Sequence, residues 1–103
     1  MINDGYMLLI YDIPNKDKLD HKKYITFRKK IIRNGYIMIQ ESVYYKYLRN
    51  IKSKGVEEKY ISSISIDNSN VITLALPKWH FNNIKCICGS FSIVDLSNDF
   101  VDY

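Results

Sequence analysis

The sequence predicts an α+β fold, a β-sheet with two helices on one face. Three observations predict it. Two wholly apolar runs of strand length, YMLLIY (Tyr6–Tyr11) and VITLAL (Val71–Leu76), lie far apart in the chain. Such runs suit strands covered by other elements. Two stretches of helical periodicity fall between them, separated by a long β-forming run, Tyr36–Leu48. The chain has 103 residues, 47% hydrophobic and 25% charged. That is enough for one domain (1–103) with a modest core, and it excludes a disordered chain.

Each element has its own signal. The first strand ends at Pro14-Asn15, a turn dipeptide. Asp17 or Asp20 caps a helix running to about Asn34, which Gly35 stops. Tyr36–Leu48 is too long for one flat strand, so a kink, bulge or tight reversal is expected near Glu41-Ser42. Val56, Tyr60, Ile61 and Ile64 recur at helical spacing, placing a second helix in roughly Asn50–Ser65. Gly55 weakens its first turns. Asp67–Asn70 reads as a loop, Val71–Leu76 as a strand, and Pro77–Asn83 as a turn or one short helical turn. Phe91–Leu96 is a last short strand before an acidic end. The order β-α-β-(β)-α-β with an extra terminal strand is the ferredoxin-like pattern. One sheet face stays uncovered in that pattern. With this many apolar strand residues, the open face is expected to be buried in a homodimer.

The net charge is +4 and the pI about 9.0, which permits nucleic acid as a partner without requiring it. No apolar stretch is long enough to span a membrane and no signal-peptide pattern opens the chain, so a cytoplasmic location without a membrane partner is expected. Cys86 and Cys88 are too close for an easy disulfide and too few for a closed zinc site; they are expected to be buried thiols. On the first helix, Tyr24, Phe27 and Ile31 share one side, flanked by Ile25 and Ile32. Lys22, Lys23, Lys29, Lys30 and Arg33 group opposite. That face is either a solvated surface or a ridge that contacts phosphates. Arg28 falls inside the apolar arc. A guanidinium is rarely buried unpaired, so Asp12, Glu41 or a phosphate is its expected partner.

The chain has no Gly-rich phosphate loop, no G-x-S-x-G, no H-E-x-x-H and no C-x-x-C. His21 and His80 stand alone. The carboxylates near strand ends are Asp12, Glu41 and Asp95. Asp12, in LLIYDIP, reads as a turn residue, a partner for an internal cation or a metal ligand. One carboxylate holds Mg²⁺ poorly, because the ion demands octahedral oxygen ligands; two copies brought together by a dimer axis do better. A metal so held can activate water and brace a phosphate.

LLIYDIP followed by FRKKIIRNGYIMIQESVY (Phe27–Tyr44) resembles the small CRISPR-associated protein of the spacer-acquisition module, the dimeric partner of the CRISPR integrase. The match spans about Met7–Tyr47, and within the family it is most similar to type II members. The resemblance implies a ferredoxin-like homodimer that binds double-stranded DNA (the protospacer) by its phosphates and bridges integrase dimers. It also implies metal-dependent nuclease activity, with RNA as an alternative substrate and Mg²⁺ or another divalent cation as cofactor. Asp12 occupies the family's catalytic, metal-binding position. Lys16 and Lys18 lie in the loop that contacts DNA in relatives, with Arg28, Lys29 and Arg33 on the helix that follows. The implied dimer interface takes in Ser42 and Tyr44, with Phe91 and Ile93 on a strand crossing to the neighbouring subunit. Many nuclease-active relatives carry an arginine where this chain has Met38; the departure bears on cleavage and leaves the scaffold role untouched. The alternative reading is a ferredoxin-like toxin-type ribonuclease or a nucleic-acid-binding regulator outside CRISPR.

Overall fold

A computed structural model describes residues 3–14 and 16–89. The elements are β1 (Gly5–Asp12), α1 (Lys18–Arg33), β2 (Ile37–Gln40), β3 (Val43–Leu48), a 3₁₀ turn (Ile51–Ser53), α2 (Lys54–Ile64), β4 (Asn70–Pro77) and α3 (Lys78–Phe81). The four strands form one antiparallel sheet in the order β2-β3-β1-β4. This is the expected α+β, ferredoxin-like βαββαβ arrangement. The expected terminal strand, with Phe91 and Ile93, lies outside the described residues. Among the described residues no helix is long and apolar enough to cross a membrane.

Local chemistry explains the boundaries. Asp17 caps α1, its carboxylate accepting from the Asp20 N–H at 2.8 Å. Gly35, at φ +96°, ends the helix in a Schellman turn. Its own N–H reaches the Ile32 carbonyl at 3.0 Å, and the Tyr36 N–H reaches that of Ile31 at 3.2 Å. The expected reversal at Glu41-Ser42 is a two-residue loop between paired Gln40 and Val43, with a register shift between Met38 and Gln40. Gly5 is required by close approach, since a Cβ there would meet the Leu76 carbonyl oxygen at 2.2 Å.

The pleat of β1 sorts the core into two layers. Met7, Leu9 and Tyr11 face the helices and pack with Phe27, Ile31, Tyr44 and Ile61. Tyr6 and Leu8 face the other way, with Tyr45 and Leu76. Phe81 of α3 caps this second layer, stacked on Tyr6 at 4.1 Å between ring centroids. The lower half of that face, around Tyr6, is therefore covered by the chain itself. Among the described residues nothing covers the upper half, where Ile10 is 38%, Ile72 61% and Leu74 55% exposed.

Two expectations fail here. Val56, read as part of the apolar stripe of α2, is 69% exposed. Its inward neighbour is Glu57, which shares the stripe with Tyr60, Ile61 and Ile64 at i, i+3, i+4 and i+7 spacing. A charge is tolerated there because the carboxylate is fully engaged. It accepts from Asn34 Nδ2 at 3.2 Å, Tyr36 Oη at 3.1 Å and Lys46 Nζ at 3.0 Å. These contacts tie α2 to the end of α1, the start of β2 and the middle of β3. Cys86 and Cys88, read as buried thiols, are both exposed. They follow α3 outside either core layer, and the Cys86 thiol donates to the Cys88 carbonyl at 3.3 Å.

Glu57→Ala is expected to lower the unfolding free energy by about 2–4 kcal/mol, because Lys46 and Tyr36 lose their partner, and Tyr36→Phe by about 1 kcal/mol. Urea unfolding of the three proteins checks both values. Alkaline pH provides a second test. Burial first, and then Glu57, raises the Tyr36 hydroxyl pKa well above the ordinary range; burial, then Asp4, pushes Tyr47 up to about 12. Folded-state values above the unfolded value mean that this stabilisation is complete below about pH 10 and is lost as pH rises beyond it. Chemical denaturation midpoints are expected to fall above about pH 10, and less steeply in Tyr36→Phe.

Candidate functional site

The Asp12 end of the sheet gathers the residues the sequence singled out from two distant stretches. Antiparallel pairing sets β1 between β3 and β4. The Tyr11 N–H donates to the Ser42 carbonyl at 3.1 Å, so YD of β1 lies against the ES turn of QESVY. Ser42 holds φ +65°, an unusual value for a residue with a side chain and one a tight reversal needs. Asp12 pairs in register with Asn70, the first residue of β4. Cross-strand partners lie on the same face, so a carboxylate and a carboxamide share the sheet's end. The pleat puts both on the open face, in line with Ile10 and Ile72.

The helix-facing side of this end is aromatic. Tyr11 stacks on Tyr44 at 5.7 Å and meets Phe27 edge-on at 4.9 Å. The Tyr11 hydroxyl is buried without a hydrogen bond of good geometry. Its pKa is driven far up, first by burial and then by Tyr44 and Tyr24. Tyr24 of α1 donates to the Glu41 carboxylate. That bond, with burial behind it, raises the Tyr24 pKa. Arg28 sits in the same group. Tyr44 is the main influence raising its pKa, and Tyr24 and Glu41 act in the same sense. Of the two carboxylates expected to partner Arg28, Glu41 is the one that influences it; Asp12 is on the far face of the sheet. The Tyr24–Glu41 bond ties α1 to the β2–β3 turn, and Arg28 lies within the electrostatic influence of that pair and of Tyr44.

The remaining candidates are placed as follows. Lys16, Lys18, Lys29 and Arg33 are exposed, the first two ahead of and at the start of α1 and the last two on its outer side. Ser42 is half-buried in the turn. Tyr44, read as an interface residue, is 1% exposed and fills the chain's own core; its side chain has no surface to offer a second copy. Phe91 and Ile93 lie outside the described residues. Sequence reasoning missed Asn70, assigned to a loop. Nothing in the sequence marks it, because the register that brings it opposite Asp12 is set by the β1–β4 pairing.

Mg²⁺ needs several oxygen donors. Among the described residues no group of three or more His, Cys, Asp or Glu side chains could hold a metal ion. One chain supplies Asp12, with the Asn70 carboxamide beside it, which is half of an octahedral set at most.

The family model described as CRISPR associated protein Cas2 matches residues 5–84. A protein of Ligilactobacillus salivarius, named CRISPR-associated endoribonuclease Cas2, is 35% identical over 81% of this chain and 82% of its own length. A protein of the same name from Campylobacter jejuni is 31% identical over 86% of this chain and 64% of its own length. A solved structure titled "Crystal structure of cas2" superposes with a TM-score of 0.60 at 18% identity, covering 89% of this chain and 95% of the other; at that identity it shows the fold. The match runs from β1 through α3 and contains every site residue placed above, and on it this chain belongs to the CRISPR-associated Cas2 family.

Proposed function

We propose that this chain is a CRISPR adaptation protein that acts as a homodimer, binds double-stranded DNA and bridges integrase dimers during spacer acquisition. The observation that carries the reading is the half-covered sheet. Ile10, Ile72 and Leu74 form an exposed apolar surface on the face that ends in Asp12, and such surfaces mark sites of association. β4 also offers an outer edge with no partner among the described residues. A long apolar edge strand is a liability unless another strand covers it. Phe91–Leu96 of a second copy is the segment this reading assigns to it. The DNA reading is supported by charge. Lys22, Lys29, Lys30 and Arg33 stand exposed along one side of α1, where they can neutralise phosphates in series.

Cleavage is a second reading, favoured by Asp12 and by the names of the relatives. In it, the Asp12 carboxylates of two copies would hold a divalent cation, which when bound would supply Lewis-acid activation of water and charge neutralisation at the phosphate. The chain's own residues contribute the carboxylates and hold the strand end in place.

Leu74→Lys is expected to convert the dimer to monomer in sedimentation velocity while leaving the circular dichroism spectrum unchanged; a dimer that survives contradicts the proposed interface. Lys29→Glu/Arg33→Glu is expected to weaken duplex DNA binding about tenfold or more and to flatten its salt dependence, as two phosphate contacts are lost. Co-expression with the neighbouring integrase tests the bridge: two proteins that elute separately with and without DNA rule it out. Asp12→Asn is expected to abolish Mg²⁺-dependent cleavage of RNA or duplex DNA and to leave spacer acquisition intact. Equal cleavage by both proteins would assign the activity to a contaminant.

A further inference from the structure

Trp79 is the chain's one tryptophan, and it is 65% exposed. A lone exposed apolar residue needs no explanation. This indole, however, borders a cleft of about 340 Å³, lined also by Asn3, Asp4, Pro77, Lys78 and Asn82. That volume falls within the range of ligand sites, roughly 300–1,000 Å³. The cleft lies at the end of the sheet where Gly5 pairs with Pro77. Asp12 is at the far end of β1, roughly 24 Å away along the strand.

The backbone holds the walls in place. The Ile51 N–H donates to the Asn3 carbonyl at 2.8 Å, and the Lys78 N–H to the Asp4 carbonyl at 3.2 Å. Asn3-Asp4 thereby joins the 3₁₀ turn to α3. The Tyr47 hydroxyl fixes the Asp4 carboxylate, donating to Oδ2 at 2.7 Å. His80 braces the indole, with ring centroids 3.5 Å apart.

The composition selects a ligand. A flat aromatic platform suits a flat aromatic ligand. Two carboxamides and a carboxylate offer donors and acceptors to its edge. The carboxylate also repels phosphate, so the cleft suits a base whose phosphates stay outside. Positive charge for those phosphates is adjacent, because Arg49 and Lys52, on either side of Ile51, are both exposed. Bases inside a duplex have their edges paired and their faces stacked, so the base has to be unpaired.

We propose that the cleft beside Trp79 binds an unpaired nucleotide of a single-stranded DNA or RNA segment. The base stacks on the indole with its edge toward Asn3, Asp4 and Asn82, and the flanking phosphates run toward Arg49 and Lys52. For its ligand class the site rests on the nucleic-acid reading above; its residues are separate from the α1 lysines and from Asp12. The proposed dimer covers the other half of the sheet face, around Ile10 and Leu74, and leaves α3 accessible.

Because Trp79 is the only indole, its fluorescence reads the site in the full chain. The probes are a mixed-sequence single strand of DNA, its RNA counterpart, and an abasic DNA strand of equal length. Saturable quenching by the DNA or the RNA strand is expected, and none by the abasic strand, which carries phosphates alone. Quenching by DNA only assigns the site to an overhanging DNA end, and by RNA only to an RNA segment; both support it. Binding of a labelled single strand, read by anisotropy, is expected to weaken about tenfold in Trp79→Ala and to be largely kept in Trp79→Phe. Duplex binding is expected to be unchanged in both variants. No quenching by either strand, equal quenching by the abasic strand, or unchanged single-strand affinity in Trp79→Ala would overturn the proposal and leave the cleft to a protein partner. Duplex binding without quenching would remove this site and keep the duplex reading; quenching without duplex binding would do the reverse.

Discussion

Everything at the candidate site depends on the two-residue alternation of β1. Tyr6, Leu8, Ile10 and Asp12 point to one face, and Met7, Leu9 and Tyr11 to the other. A slip of one residue would drive Asp12 under the helices and expose the core. The register is held on both sides. β3 pairs from Leu48 to Val43 and β4 from Pro77 to Asn70, while Gly5 admits β4 at a distance no side chain would allow. The placement of Asp12 is thus fixed by hydrophobic burial several residues away, an order of magnitude stronger in sum than any preference of the carboxylate itself.

The same alternation explains why half of the second face needs cover and half does not. Phe81 closes the end near Tyr6, where four aromatic rings pack together. Nothing among the described residues closes the end near Ile10. On the helix side two polar clusters tie the elements together. Glu57 joins α2 to three other elements, and the tyrosines around Arg28 join α1 to the β2–β3 turn. An apolar face left uncovered among the described residues is what a symmetric dimer requires of its subunits.

Much of this was legible in the sequence. The apolar runs at Tyr6–Tyr11 and Val71–Leu76 marked the buried strands, Gly35 marked the end of α1, and the excess of β-formers with Glu41-Ser42 marked the hairpin. What escaped was decided by partners distant in sequence. Glu57 reads as a surface residue until Lys46, Tyr36 and Asn34 converge on it. Tyr44 reads as an interface residue because of the motif it belongs to, but its ring stacks on Tyr11. Cys86 and Cys88 behave as small hydrophobes only when a core surrounds them, and here they follow the last helix into solvent. Asn70 illustrates the same limit at the site, since strand register is a property of pairs of strands.

The proposed dimer makes one claim that the open face puts to the test: Asp12 lies on the seam between the two copies. Dipolar spectroscopy on a nitroxide at Asp12→Cys, in a Cys86→Ser/Cys88→Ser background, measures this directly. The account predicts one short inter-label distance that vanishes in Leu74→Lys. A dimer whose labels show no short distance would contradict it, because the face carrying Asp12 would then not be the one the second copy covers.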